Sequence, residues 1–371
     1  MYLKHLQLSN FRNYEENEFD FHENVNCFVG KNGSGKTNLL DAIHYLSFCK
    51  SAFSSQDTYS VRFNCDFFAI HGLFVSLDNR DTKIGCVFKN GRKIVKSNQK
   101  EYQRLSDHIG LFPLIMVSPY DNDMINEGSE TRRKFFDISI SQFDKEYLQQ
   151  LITYHKIIQQ RNQLLKQYQS GEKVDLSLLQ IYNNQLIPLG NYIFEKRATF
   201  VSDILQDFQR YYQILSNGNE SVSLAYQSQL FDFEFEKGLH ENETQDFRSA
   251  YSNFGIHKDD FTFLINKVSL KRFGSQGQQK SFSLSLKLAH YDYIATRKKV
   301  KPILLLDDIF DKLDNFRISQ LLNMVGQNHF GQVFITDTDE VRLRKILEEH
   351  HISSKIFHIE IIKPSEKTDG N

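Results

Sequence analysis

The feature that most constrains this chain is a glycine-rich segment at residues 30–37, which reads Gly-Lys-Asn-Gly-Ser-Gly-Lys-Thr. It fits the phosphate-loop pattern G-x-x-x-x-G-K-[ST]. The apolar run Val25–Val29 before it predicts a buried strand, and the apolar spacing over 37–48 predicts a helix. A strand, a glycine loop and a helix in this order surround an anion with backbone N–H groups and the positive end of the helix. We therefore expect an α/β fold with a phosphate site at this loop.

Residues of two segments are expected to bind the phosphates and the metal ion at this site. The predicted phosphate-binding residues are Gly30, Lys31, Asn32, Gly33, Ser34, Gly35, Lys36 and Thr37. Of these, Lys36 would reach the β- and γ-phosphates as a catalytic residue, and the Thr37 hydroxyl would bind Mg²⁺. Asp307 and Asp308 follow a predicted buried strand at 303–306. Asp307 would hold Mg²⁺, directly or through water, and Asp308 could orient or deprotonate an attacking water. The alternative for this pair is an acidic strand end that faces solvent.

A second candidate anion site lies much later in the chain. Ser275 and Gly277 come just before a helix predicted at 281–295. Small and hydroxyl residues at a helix start expose backbone N–H groups that can bind an anion. One nucleotide does not need both this segment and the phosphate loop from the same subunit. This duplication indicates that a second copy of the chain supplies one of the two.

Hydrophobic patterning divides the chain into an α/β part and a helical insertion. Short strand-like runs fill 61–117, whereas 131–216 shows the apolar spacing of long helices with a break at 170–172. Another short buried strand is expected at 332–336. The predicted organisation is an α/β domain made of 1–125 and 250–371, a β-rich arm within it at about 61–117, and an inserted, mainly helical lobe at 126–249.

Composition narrows the class of protein. With 45 Lys and Arg against 46 Asp and Glu, the formal net charge is -1, which excludes a generally basic nucleic-acid coat but allows a local basic face. The four cysteines have neither zinc-ligand nor disulfide-framework spacing, so we expect reduced thiols. We see no apolar signal segment or membrane span in the sequence and expect a cytoplasmic protein.

An edge strand is expected at 355–362, followed by a frayed polar end at 364–371.

The order of the motifs resembles that of ABC-type ATPase heads, and among these the SMC-like RecF family. The residues that carry the resemblance are Phe-Arg-Asn-Tyr at 11–14, the phosphate loop followed by Asn38, His-Lys-Asp-Asp at 257–260, Ser-Gln-Gly-Gln-Gln-Lys-Ser at 275–281 and Leu-Leu-Leu-Asp-Asp at 304–308. Asp314 stands where such heads carry their D-loop aspartate. A compact helical lobe in place of a long coiled coil also fits the RecF family better than a chromosome condensin.

The resemblance implies an α/β, ABC-type P-loop ATPase head, with a mixed β-sheet and flanking helices, plus the inserted helical lobe. It implies ATP and Mg²⁺ as cofactors and weak ATPase activity. It also implies an ATP-dependent homodimer that clamps DNA at gaps or junctions, releases it after slow hydrolysis, and works with RecR and RecO in recombinational repair and replication-fork maintenance. The signature residues implied to act in trans on the γ-phosphate are Ser275, Gln276, Gly277 and Gln278.

The sequence departs from the usual ABC pattern in three places. Asp308 stands where these heads usually carry Glu, and the shorter carboxylate predicts slow hydrolysis. Asp337 stands where they carry a switch His. The segment 112–116 contains no glutamine that would serve as a Q-loop residue.

Two sets of basic residues have open interpretations. Arg12 could contact nucleotide, or it could be a turn arginine paired with Glu15 or Glu16. The candidate DNA contacts are Arg92, Lys93, Lys96, Arg132 and Arg133. Lys and Arg can neutralise backbone phosphates without reading sequence. The alternative for each cluster is a solvated charged face.

Three other classes of protein share part of this pattern. A transporter ATPase subunit is the main alternative, but it usually has a Q-loop, a switch His and a shorter span than that between Lys36 and Asp307. An ATPase–nuclease of the overcoming-lysogenization-defect type needs a further nuclease domain, for which we expect no room after Asp337. A purely structural interaction protein would not need Lys36 and Asp307 together.

Overall fold

The computed structural model describes residues 1–76, 78, 80–216, 218 and 220–360. The chain divides into two compact units, one formed by Met1–Tyr120 and Tyr291–Asn371 and the other by Asp121–His290. The helical lobe expected at 126–249 lies within the second unit, which continues beyond it. The reason is a strand pairing across the expected boundary, because residues 260–265 form hydrogen bonds with residues 222–227.

The two units are built from short strands and from helices of widely different length. The strands are β1 Tyr2–Phe11, β2 Tyr14–Asp20, β3 Val25–Val29, β4 Phe67–Val75, β5 Asp81–Lys89, β6 Arg92–Ser97, β7 Lys100–Glu101, β8 Leu114–Val117, β9 Val222–Gln227, β10 Asp260–Ile265, β11 Val268–Ser269, β12 Ile303–Leu306, β13 Val333–Asp337 and β14 Ser354–His358. The helices are α1 Lys36–Phe48, α2 Asp123–Asn126, α3 Ser129–Ser141, α4 Lys145–Gln169, α5 Ser177–Ser216, α6 Phe235–Ser249, α7 Leu270–Phe273, α8 Gln276–Lys298, α9 Ile309–Lys312, α10 Asn315–Gly326 and α11 Glu340–Glu349.

A five-stranded parallel sheet in the first unit positions the site. Its strand order is β14-β3-β13-β12-β8. Every residue of β3, β12 and β13 is buried, which is why these strands read as continuous apolar runs in the sequence. The strands predicted at 303–306 and 332–336 are therefore confirmed. Because the carboxyl ends of parallel strands share one edge, the residues after β3 and β12 meet the last residues of β13 there.

The first unit also contains a six-stranded antiparallel sheet, in the order β2-β1-β4-β5-β6-β7. It begins with a tight hairpin, in which Phe11 of β1 pairs with Tyr14 of β2. Arg12 and Asn13 form the turn, and Arg12 adopts a positive φ of 55°. The arm predicted at about 61–117 is β-rich, because it contains β4 to β8.

The second unit contains the long helices that the sequence predicts. The break expected at 170–172 separates α4 from α5. The apolar spacing predicted after that break belongs to the single 40-residue helix α5, which passes through Pro188 without ending. A three-stranded antiparallel sheet, in the order β11-β10-β9, completes this unit. A buried ion pair lies between helix α5 and the neighbouring segments, where the Arg197 guanidinium binds the carboxylates of Asp137 and Asp259 at 2.9 Å each.

The remaining expectations concern the ends of the chain and its thiols. The strand expected at 355–362 is observed as β14, at the edge of the parallel sheet. Residues 361–371, which include the end predicted to fray at 364–371, lie outside the described residues. All four cysteines are free thiols, as predicted. Across the described residues, every helix is too short or too polar to cross a membrane.

Candidate nucleotide-binding site

The phosphate loop turns sharply between β3 and α1 because two of its glycines adopt conformations that other residues avoid. Gly33 has a φ of 80° and Gly35 a φ of 108°. Helix α1 begins directly after Gly35, at Lys36. The first backbone N–H groups of a helix have no acceptor within the helix, so this end of α1 is suited to an anion.

A cavity of about 180 Å³ lies at this edge of the parallel sheet. Its lining residues are Asn32, Gly33, Gly35, Lys36, Thr37, Asn38, Asp307, Asp308 and Thr336. The structure thus brings five of the eight predicted loop residues together with the two aspartates, whereas Gly30, Lys31 and Ser34 do not line the cavity. Pockets for whole drug-sized ligands are usually about 300–1,000 Å³, so this cavity is too small to enclose a whole ligand of that size.

Lys36 is buried inside the loop. Its Nζ donates hydrogen bonds to the carbonyl oxygens of Gly30 at 2.7 Å and Lys31 at 3.1 Å. An ammonium group in this position lines the cavity with positive charge and can transfer its donors to a phosphate oxygen. Lys36 also lines the cavity, and its contact with a phosphate stays a prediction.

The two predicted magnesium ligands lie side by side. The Thr37 hydroxyl donates to Asp307 Oδ1 at 3.0 Å, and the Thr336 hydroxyl donates to the same oxygen at 2.8 Å. Burial raises the pKa of the Asp307 carboxyl, although both hydroxyl groups oppose the shift. A hydroxyl and a carboxylate are ligands that Mg²⁺ prefers, and a cation would favour the charged carboxylate. Thr37 and Asp307 therefore fit this ion.

Thr336 is a site residue that the sequence analysis missed. Besides donating to Asp307, its hydroxyl accepts a hydrogen bond from the Asp308 backbone N–H at 2.8 Å. Asp308 needs this support because it has a φ of 51°, which is uncommon for a residue with a side chain. The available signal was its position at the carboxyl end of β13, next to β12 in the parallel sheet.

The Asp337 carboxylate is bound by residues that follow it closely in the chain. Its carboxylate is buried and accepts hydrogen bonds from the backbone N–H groups of Thr338 and Asp339, and from Arg342 at 2.6 Å. The residue in the place of the switch His thus anchors the segment that leads into α11.

Arg12 binds a buried carboxylate of helix α1. Its Nη2 donates to Asp41 at 2.9 Å and to Ser51 at 2.9 Å. The turn interpretation, which paired Arg12 with Glu15 or Glu16, is therefore wrong about the partner, and Glu15 instead binds Arg62 at 3.0 Å. Sequence separation hid this pair, since Asp41 lies 29 residues from Arg12.

The signature segment begins helix α8 in the second unit. The Ser275 N–H donates to Gln278 Oε1 at 2.6 Å, and the Gln278 N–H donates to Ser275 Oγ at 3.2 Å. This reciprocal pair is a capping box, and it fixes the start of the helix. Ser275 and Gln276 are exposed. In the first unit, Asp314 caps α10 by accepting from the Arg317 N–H at 3.0 Å.

The structure separates the five candidate DNA contacts. Lys93 binds Asp57 at 2.8 Å, Arg132 binds Asp260, and Arg133 donates to the Asp259 carbonyl oxygen at 2.6 Å. These three cations stabilise the fold of their own units. The other two, Arg92 and Lys96, are exposed on β6, where Arg92 also forms an exposed ion pair with Glu101 at 3.6 Å.

Known proteins are similar to this chain over nearly its whole length. Residues 2–356 match the family described as RecF/RecN/SMC N terminal domain. The chain is 46% identical to the DNA replication and repair protein RecF of Flavobacterium johnsoniae, over 97% of this chain and 100% of that protein. It is 43% identical to RecF of Bacteroides fragilis, over 97% of each. The chain belongs to the RecF family. Its relatives by sequence are DNA replication and repair proteins.

Solved structures support the same assignment. A structure described as the recombination mediator protein RecF-ATP in the RecFOR pathway is 32% identical, with a TM-score of 0.85 over 91% of this chain and 92% of that one. An SMC head bound to a domain of ScpA has a TM-score of 0.54 at 15% identity, over 93% and 91% of the two chains, and shares the fold alone. The predicted fold class, an α/β ABC-type ATPase head, is confirmed.

Proposed function

We propose that this RecF-family chain binds ATP with Mg²⁺ in the cavity of the first unit and uses it to control DNA binding in recombinational repair and replication-fork maintenance. The observation that carries the proposal is the convergence of Lys36, Thr37 and Asp307 on one cavity. The relative solved with ATP supports the identity of the nucleotide.

Each side chain of the cavity has a defined part in this proposal. Lys36 neutralises phosphate charge, while Thr37 and Asp307 hold the magnesium ion. Bound Mg²⁺ would neutralise charge on the phosphates and help to orient them. Asp308 orients or deprotonates the attacking water. The short side chain of Asp308 makes hydrolysis slow, so the enzyme is a weak ATPase that acts as a switch.

A second copy of the chain completes the site in this proposal. The exposed start of α8 carries the signature residues, which would contact the γ-phosphate bound to the partner, and Asp314 would act as the D-loop residue. ATP held by both copies favours the dimer, and loss of the γ-phosphate releases it. The dimer clamps DNA at gaps or junctions in the cytoplasm, with RecR and RecO as protein partners. Arg92 and Lys96 are the DNA contacts we retain.

Nucleotide titration of matched lysine variants tests the proposal. We expect Lys36→Ala to abolish ATP binding in isothermal titration calorimetry, because it removes the buried ammonium of the loop. Lys4→Ala removes an exposed lysine of β1, outside the loop, and should bind as the wild type does. Unchanged ATP affinity in Lys36→Ala, with the fold intact by circular dichroism, would contradict the proposed site.

A further inference from the structure

The turn between β1 and β2 binds the backbone of the phosphate loop. The Asn13 Nδ2 donates a hydrogen bond to the Ser34 carbonyl oxygen at 2.9 Å. The next residue, Tyr14, donates its hydroxyl to the Gly35 carbonyl oxygen at 3.0 Å. Two consecutive side chains thus hold two consecutive peptide groups of the loop.

The direction of these bonds sets the direction of the loop's donors. In a trans peptide group, the carbonyl and the N–H of the following residue point in opposite directions. The Ser34 carbonyl shares its peptide group with the Gly35 N–H, and the Gly35 carbonyl shares its group with the Lys36 N–H. When the turn holds the two carbonyl oxygens, both N–H groups must point away from the turn. Gly35 and Lys36 also line the cavity.

The two carbonyl oxygens differ in how many donors hold them. The Gly35 carbonyl oxygen also accepts from the Leu39 N–H at 3.0 Å, so helix α1 orients that peptide group without help from Tyr14. For the Ser34 carbonyl oxygen, Asn13 is the one donor found among the described residues. The orientation of the Gly35 N–H therefore depends mainly on Asn13.

The Asn13 side chain is itself held in place. Its Oδ1 accepts a hydrogen bond from Asn38 Nδ2 at 2.7 Å. Because the Ser34 carbonyl can only accept, the amino group of Asn13 must face it, and the network fixes the amide orientation. The close approach also requires a glycine, since a Cβ on Gly35 would lie 2.3 Å from Asn13 Nδ2.

We propose that Asn13 is a positioning residue that aims the Gly35 N–H at the β-phosphate of the bound nucleotide, with Tyr14 giving weaker support to the Lys36 N–H. This inference rests on the proposed function, because it assumes that the cavity holds a nucleotide. In this role Asn13 shapes the anion site through the backbone of the loop and does not itself touch the nucleotide.

The dissociation constants for ADP and ATP test the proposed role of Asn13, since both nucleotides carry the β-phosphate. We expect Asn13→Ala to weaken both by the same factor, about 10-fold, as for the loss of one hydrogen bond. Asn13→Asp keeps the shape but cannot donate to the Ser34 carbonyl, so it should be at least as weak. Tyr14→Phe should lose less than about 3-fold. For each variant we expect the KM for ATP to rise while kcat stays near the wild-type value.

Asn98→Ala is the matched control for a structural effect. Asn98 also lies in a turn of the antiparallel sheet, where its Oδ1 accepts from the Lys83 N–H at 2.8 Å. Its loss should lower the melting temperature without changing nucleotide affinity. Wild-type affinity in Asn13→Ala would overturn the inference, as would equal loss in Asn98→Ala. Failure of the wild type to bind either nucleotide would overturn the proposed function instead.

Discussion

Removal of the Thr336 hydroxyl tests whether this residue supports both aspartates of the site. Thr336 is fully buried, and valine has nearly the same shape. The change Thr336→Val removes a hydrogen bond to the Asp307 carboxylate, worth about 1.5–3 kcal/mol, and one from the Asp308 N–H, worth about 0.5–1.5 kcal/mol. We therefore expect the free energy of unfolding to fall by about 3 kcal/mol. ATP turnover should fall as well, because Asp308 loses the contact that fixes its backbone.

Thr336→Ser is the matched variant, because it keeps the hydroxyl and loses one buried methyl group, at a cost of about 1 kcal/mol. Urea unfolding of the nucleotide-free protein should rank the wild type first, Thr336→Ser second and Thr336→Val third. Turnover at saturating ATP should follow the same order. If the valine variant is as stable and as active as the serine variant, the hydroxyl does not support the two aspartates and the reasoning is refuted.

Three further predictions concern DNA, pH and hydrolysis. Fluorescence anisotropy with a labelled duplex should show weaker DNA binding for the double variant Arg92→Glu, Lys96→Glu. Arg132→Ala should mainly lower the melting temperature, since Arg132 binds Asp260. An equal loss of DNA affinity in both proteins would contradict this assignment. Burial lowers the pKa of His257 to about 4, so between pH 6.5 and 4 the unfolded chain binds a proton that the folded chain excludes. His257 should therefore lower the free energy of unfolding by on the order of 3 kcal/mol as the pH falls across this window, and His257→Asn should remove that part of the slope in urea titrations at a series of pH values. Asp308→Asn should give a long-lived ATP-bound dimer on DNA, and a monomer in saturating ATP would argue against this role of Asp308.

The strands and loop that build the site could be predicted because their signals are local. Val25–Val29 and Ile303–Leu306 are buried on both faces, so each gives an uninterrupted apolar run. The motif fixes two glycines: Gly35 adopts a φ of 108°, and a Cβ on Gly30 would lie 2.2 Å from the Ile359 carbonyl oxygen. A parallel sheet then brings Asp307 to the loop whatever the length of chain between them.

The support of the site could not be predicted, because it depends on contacts between distant residues. Asn13 in the hairpin turn binds the Ser34 carbonyl oxygen 21 residues away, and Arg12 binds Asp41 rather than the acidic residues next to it. The partners of charged side chains could not be predicted for the same reason. Lys93 looks like part of a basic stretch, but its ammonium is paired with Asp57 in the fold.

The mass of the protein in solution tests directly whether two chains share each ATP, because a shared site requires a dimer. Light scattering should give the monomer mass of 43.6 kDa without nucleotide and with ADP, and twice that mass with ATP and Mg²⁺. Ser275→Arg should still bind ATP but remain monomeric, since the change places a long cation at the exposed start of α8. A wild-type monomer in saturating ATP, or a Ser275→Arg variant that dimerises normally, would contradict the shared site.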